Sequence, residues 1–374
     1  MLANYDASTD HITVIAVVPV YSSMVLLIFP ELAMKRRDML KKSAIGAVAA
    51  SVGAPAVHAK KDVEIPTKPK PIFGEMSYRT LGKTGIKVSR LGFGSHLLPY
   101  NRENPVGRDR QIQEGFANGM NLFDVYDHGG YKQFAPMAKS LADKRKDVVI
   151  SLVAVESDVR KEVEGALRTF KSDYIDLYRI VYRDGKADFE RGDDILELML
   201  KMKEEGKIRA VGCVAHRESG LLHAAEHFPI DYVMMPINFH HNKAWFHDEA
   251  DKYSGLMPIC REKNLGILGI KPMAGDPMVA YAQYHGYLSE DYRGASYPKA
   301  ALRHLWENDD IASVMPTFNS IGELWDDLES LWQPALTKED KKVLKKLSKM
   351  ADKTQGAYLP EKYKWMEEWR VRTV

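Results

Sequence analysis

From Tyr78 onward, short apolar runs alternate with segments whose apolar residues recur every three or four positions. That alternation predicts strands joined by amphipathic helices. Eight runs read as strands: 88–94, 122–127, 148–153, 175–182, 208–214, 232–238, 266–273 and 311–316. The helices between them show spacings such as Val159, Val163, Ala166, Leu167 and Phe170, with Ser157 as the expected cap. Apolar strands separated by helical crossovers demand a parallel sheet covered on both faces. Eight repeats in about 250 residues fit a closed (β/α)8 TIM barrel, an α/β fold, over residues 77–335. A Lys-rich helix is predicted from Thr337 to Lys353, followed by a tail with Tyr358, Tyr363, Trp365 and Trp369. This C-terminal extension, 336–374, is expected to pack on the barrel's side rather than cover its mouth.

The segment before the barrel has a different texture. An apolar stretch from Ile12 to Pro30, broken by Pro19 and Ser22-Ser23, approaches the length of a membrane span. Residues 1–33 read as an over-extended start, with a membrane anchor as the alternative. Lys35-Arg36-Arg37 then precede Met39-Leu40-Lys41, an alanine-rich run from Ala44 to Ala56, and Val57-His58-Ala59. The order of cationic region, apolar region and small-residue cleavage site is that of a secretory signal, here over 34–59. The adjacent arginines followed by Met-Leu-Lys resemble a twin-arginine signal, which exports folded proteins, so the expected partner is that export machinery and the expected location the periplasm. Residues 60–76, rich in lysine with Pro66, Pro69 and Pro71, read as an extended linker.

Composition narrows the function. The chain of 374 residues is 45% hydrophobic and 28% charged, which suits a large folded core. With 53 basic and 51 acidic side chains the net charge is +2, and nothing in that balance indicates a nucleic-acid partner. Two cysteines, Cys213 and Cys260, are too few for a disulfide scaffold or a four-cysteine metal site and read as buried thiols.

Several motifs in order resemble the aldo/keto reductases. Residues 78–94, YRTLGKTGIKVSRLGFG, look like that family's opening β-hairpin and first strand. Asn121-Leu-Phe-Asp124 resembles its second strand, Asp173 to Tyr178 its fourth, Gly206 to Gly212 its fifth, and Leu256 to Ala274 a segment through its seventh. The resemblance implies hydride transfer between a nicotinamide cofactor, NADP or NAD, and a small carbonyl or alcohol substrate, with a tyrosine supplying the proton. A neighbouring cation makes a phenol easier to deprotonate. Carried over, the catalytic aspartate is Asp124 and the tyrosine falls in Tyr126 to Tyr131, with Tyr131 preferred. The family's lysine falls on Val153, its histidine on Val181, its amide-clamping pair on Val214 and Ala215, and its glutamine on Met235. After strand eight no match emerges for the basic residues that usually hold a phosphate of the dinucleotide.

Strand parity suggests a replacement cation. If Val181 points inward, so does Arg179, and strands two and four contribute to the same barrel layer. Arg179 and Asp124 are therefore expected to form a buried ion pair, either catalytic or structural. His128 or His216 could take over orientation of the carbonyl. Other polar groups at C-terminal strand ends include Asp127, Arg183, Asn238, His240, His241 and Lys271; His216, Asn238, Lys271 and Thr317 are assigned to the cofactor. Loop histidines without a recognised ligand spacing make a metal the weaker reading. Three functions compete: a modified oxidoreductase, a barrel that only binds a small molecule or protein, and a metal-assisted enzyme on the same scaffold.

Overall fold

The computed structural model describes residues 2–6, 11–20, 23–28, 34–35, 74–94, 105–125, 134–154, 158–182, 186–240, 253–274, 296–318 and 320–354. The chain divides into two units, Met1–Lys70 and Pro71–Val374. In the first, β1 (Leu2–Asp6), β2 (His11–Val20), β3 (Ser23–Ile28) and β4 (Met34–Lys35) pair antiparallel around β2. The apolar stretch from Ile12 is thus a pair of strands, and among the described residues no helix is long and apolar enough to cross a membrane. The expected signal beyond Lys35, the linker up to Phe73 and the aromatic tail lie outside the described residues.

The second unit opens with a two-stranded hairpin, β5 (Tyr78–Thr80) and β6 (Lys87–Ser89). Its apolar residues Leu81, Ile86 and Val88 are buried with Leu122, Val149, Leu177 and Ala210, so the hairpin plugs the barrel's N-terminal end. Parallel strands follow: β7 (Leu122–Val125), β8 (Val149–Val153), β9 (Ile175–Val181), β10 (Ile208–Val214), β11 (Tyr232–Pro236), β12 (Gly266–Ile270) and β13 (Ser313–Val314), hydrogen-bonded in sequence order. Residues Leu91 to Gly94 close the ring, bridging Val314 and Thr317 on one side and Phe123 on the other. The first expected strand, 88–94, is therefore split: Lys87–Ser89 pair in the hairpin, and Leu91 to Gly94 close the ring by isolated bridges.

Helices α1 (Pro105–Ala117), α2 (Phe134–Ser140), α3 (Val159–Phe170), α4 (Lys186–Glu204), α5 (Glu218–His227), α6 (Leu256–Glu262), α7 (Ser296–Trp306) and α8 (Ile321–Trp332) form the outer layer. The apolar face of α3 is the one expected, with Val159, Val163, Ala166 and Phe170 buried. Its cap is Asp158 rather than Ser157: the Lys161 amide donates to the Asp158 carboxylate at 3.0 Å, satisfying an otherwise orphan donor.

Strand parity sorts the core into two layers. Ile150, Leu152, Ile180, Val211, Cys213, Val233 and Met235 face the helices, whereas Leu122, Val149, Leu177, Ala210, Tyr232, Met234 and Leu268 fill the interior. Both thiols are buried, as expected, and burial pushes Cys260 up to about 12.

The final helix, α9 (Lys338–Thr354), packs its Val343, Leu344 and Leu347 against Tyr297, Ala300 and Ala301 of α7, on the barrel's side. It starts with reciprocal bonds between Thr337 and Asp340, at 3.0 Å and 2.9 Å, and Asp340 also pairs with Arg303 of α7 at 3.0 Å.

Candidate active site

The end of β7 presents Asp124 to the barrel interior, one turn of the pleat above Leu122. On β9, Arg179 stands between Leu177 and Val181 on the same inward face. The two meet as a fork on a carboxylate: Nη1 donates to Oδ1 at 2.6 Å and Nη2 to Oδ2 at 3.1 Å. Arg179 is 3% exposed and Asp124 8%, so the pair is removed from water. Such burial is tolerable only when the remaining donors and lone pairs find partners. Ser151, from the intervening β8, supplies several: its hydroxyl accepts from Arg179 Nη1 at 2.8 Å and donates to Asp124 Oδ1 at 2.9 Å. The Leu152 carbonyl also accepts from Nη1, at 3.2 Å.

The expected ion pair is therefore formed, and Ser151 is the member that sequence reasoning missed. A serine in an otherwise apolar strand, on the inward face, was the available signal.

Tyr232 lies beside this trio. Its side chain is wholly buried, burial raises its pKa, and the charges of Arg179 and Asp124 act on it in opposite directions, the first lowering and the second raising it. In the sheet register Arg179 is opposite Gly212, and Gly212 opposite Tyr232. A Cβ on Gly212 would lie 2.5–2.6 Å from three atoms at the tip of the Tyr232 ring, so this ring occupies the space that only glycine leaves.

Around the pair, the positions expected for the family's other groups are apolar. Val153 and Val214 are buried, Val181 lines the interior cluster, and Ala215 and Met235 pack in the outer layer. The placement on Met235 needs correction in one respect: its parity turns it toward the helices, and the inward residue of β11 at that level is Met234.

The remaining assigned residues spread around the C-terminal rim. Asn238, buried at the end of β11, donates to the Lys271 carbonyl at 3.3 Å and accepts from the His240 amide at 2.9 Å. It thereby ties the segments after β11 and β12. His240 is buried, and its Nδ1 lies 2.7 Å from Ser348 Oγ of α9. The backbone carbonyl of His216 accepts from Tyr253 at 3.4 Å. Lys271 and Ala274 adopt left-handed backbone at φ 53° and 56°, a tight reversal closed by the Ala274 amide donating to the Lys271 carbonyl at 2.9 Å. Thr317 stands at the seam, bridged to Gly94. His128, Tyr131, Tyr126, Asp127, Arg183 and His241 lie outside the described residues.

Arg108 of α1 is a further residue that the sequence did not single out. Buried over the Phe93 ring at 4.3 Å, it donates to the Gly94 carbonyl at 2.7 Å and the Phe318 carbonyl at 3.2 Å. It clamps the segments that follow the first and eighth barrel strands, and burial lowers its pKa to about 9.

Comparison with known proteins agrees with this architecture. Residues 90–353 match the model of the aldo/keto reductase family. The chain is 21% identical to L-galactose dehydrogenase of Arabidopsis thaliana over 76% of its own length and 98% of that protein. It is 22% identical to an NADH-specific methylglyoxal reductase of Escherichia coli (strain K12), over 52% of this chain and 66% of that protein. Among solved structures, an aldo-keto reductase from Bacillus halodurans in its holo form superposes with a TM-score of 0.56 at 21% identity, covering 73% of this chain and 96% of that one.

Proposed function

Because this chain belongs to the aldo/keto reductase family, we propose that it is an oxidoreductase interconverting a small carbonyl and its alcohol, with NAD(H) as the hydride carrier and Asp124–Arg179 as the charged base of its site. The observation that carries this reading is the bidentate pair itself. It restores, from strand four, a fixed cation beside the aspartate that the family pattern requires and that Val153 cannot provide. The pair sets a fixed polar floor beneath the loop after strand two, from which Tyr131 is the assigned proton donor.

The dinucleotide supplies hydride when bound. The residues that would hold it are the assigned rim groups His216, Asn238, Lys271 and Thr317. The polar character of the rim fits a nicotinamide carrier, and the segment after β13 discriminates between its two forms. Between Arg303 and Lys338 the chain has no lysine or arginine, while Glu323 lies in the first turn of α8 and Asp326 and Asp327 are buried in that helix. An extra phosphate there would find no lysine or arginine from this segment and would lie near its carboxylates, which favours NAD(H) over NADP(H). The NADH-specific relative in Escherichia coli is consistent with this choice.

Export by the twin-arginine route to the periplasm belongs to the same proposal. It rests on Arg36-Arg37 and the following apolar run, and a folded export route suits a protein that carries a dinucleotide. Native mass spectrometry of full-length protein recovered from the cytoplasm tests the reading. A retained nicotinamide dinucleotide supports it. Protein that stays empty and binds neither form when titrated overturns it and leaves a barrel that only binds other molecules.

A further inference from the structure

Among the described residues, the buried polar side-chain atoms without a hydrogen-bond partner include the Arg179 Nε–H and the Tyr232 hydroxyl, both inside the barrel. Both belong to side chains that are almost or wholly buried, at 3% and 0% exposure. Their register places them close together. Arg179, Gly212 and Tyr232 are lateral neighbours on three adjacent strands, and the tip of the Tyr232 ring already lies over Gly212. The hydroxyl extends from that tip across β10 toward β9, the strand that carries Arg179. Neither atom bonds to the other, so a pairing of the two runs through a molecule held between them.

From this geometry we infer that one internal water is held between Arg179 Nε and Tyr232 Oη, making Tyr232 a positioning residue for the Asp124–Arg179 pair. The water accepts from Nε–H and shares a second bond with the phenol, satisfying two groups that are costly to leave unpaired, for a smaller loss in its own freedom. A neutral occupant is selected because Asp124 already balances the guanidinium, and an enclosed ion would add an uncompensated charge. The fork on Asp124 is then fixed from both ends, by Ser151 on the Nη side and by the water on the Nε side. Tyr232 does not itself act on a substrate: its hydroxyl is enclosed in the interior, and burial makes it a poor acid.

The kinetic part of this inference rests on the oxidoreductase reading, whereas its structural part does not. A crystal structure of the full chain should show one solvent peak within hydrogen-bond distance of both atoms. Tyr232→Phe, which keeps the ring over Gly212, should remove that peak. In nitrogen-15 spectra the Arg179 Nε–H signal should shift and exchange faster with solvent in the same variant. Its kcat should fall about tenfold with KM unchanged. A dry interior, an anomalous bromide signal at the position after soaking, or an Arg179 signal that Tyr232→Phe leaves unmoved overturns the inference. If the wild-type protein transfers no hydride, the proposed function fails, while the crystallographic and spectroscopic results still decide this point.

Discussion

Gly212 and Tyr232 share one volume: the ring tip of the tyrosine stands 2.5 Å from where a glycine Cβ would be. The contact is with a ring packed in a closed interior, so it cannot be relieved by swinging a flexible chain end aside. Gly212→Ala should therefore destabilise the barrel by about 1–3 kcal/mol through overpacking. Gly165, in helix α3, is the control, because an added Cβ meets only the end of Arg168 at 3.9 Å. Gly165→Ala should stabilise by about 0.5–1 kcal/mol. Urea denaturation of the two variants beside the parent checks both signs.

The structural and catalytic meanings of the Asp124–Arg179 pair separate by double substitution. Arg179→Met leaves a buried carboxylate without its cation and should cost about 3–5 kcal/mol. Combining it with Asp124→Leu removes the stranded charge and should recover most of that loss. Carbonyl reduction should remain absent in the double variant although its denaturation midpoint returns. Recovery of turnover together with stability would show that the pair serves only the core.

Helix α8 carries an excess of acid. Asp326 and Asp327 are buried, Glu323 lies at their side, and Lys299 reaches Asp326 at 3.3 Å and Glu329 at 2.7 Å. Desolvation, followed by the charges of Glu323 and Asp326, raises the Asp327 pKa well above its ordinary 3.8. The folded chain then keeps a proton that the unfolded chain has released. Stability from this group is present at low pH and falls as pH climbs from about 4 through the raised value. Asp327→Asn should accordingly add on the order of 1 kcal/mol at pH 8 and much less at pH 4. Thermal melts across that range provide the measurement.

The proposed preference for NAD(H) rests on the same acidic segment. With no lysine or arginine between Arg303 and Lys338, kcat/KM should favour NADH over NADPH by about tenfold or more, the equivalent of about 1.4 kcal/mol. Parallel assays with one carbonyl substrate decide it. Equal rates with the two carriers would place the phosphate contacts elsewhere.

Much of the site was legible as strand parity. Asp124 and Arg179 are separated by 55 positions, yet their inward faces followed from alternation along β7 and β9, and the pair is formed. Parity also exposes the error at Met235, where a placement shifted by one residue moves a side chain from the interior to the helix layer. Ser151 and Tyr232 were harder to see. Serine in a strand has a bland local preference, and a tyrosine opening an apolar run looks like any core aromatic until the missing Cβ of Gly212 is set beside it. Arg108 was invisible for a related reason: its partners are backbone carbonyls of Gly94 and Phe318, and no residue type marks a carbonyl as an acceptor.

The sequence by itself determined the order of the barrel strands from β7 to β13, the hairpin ahead of them and the helix that follows. These depend on periodicity, which is local and repeats with the backbone's own geometry. Only the tertiary structure decided how the ring closes through Leu91 to Gly94, which atoms satisfy the buried guanidinium, and that Tyr232 leans across Gly212 toward it. Those outcomes arise from close packing between distant segments, where a single methyl group or one unpaired hydrogen determines what fits.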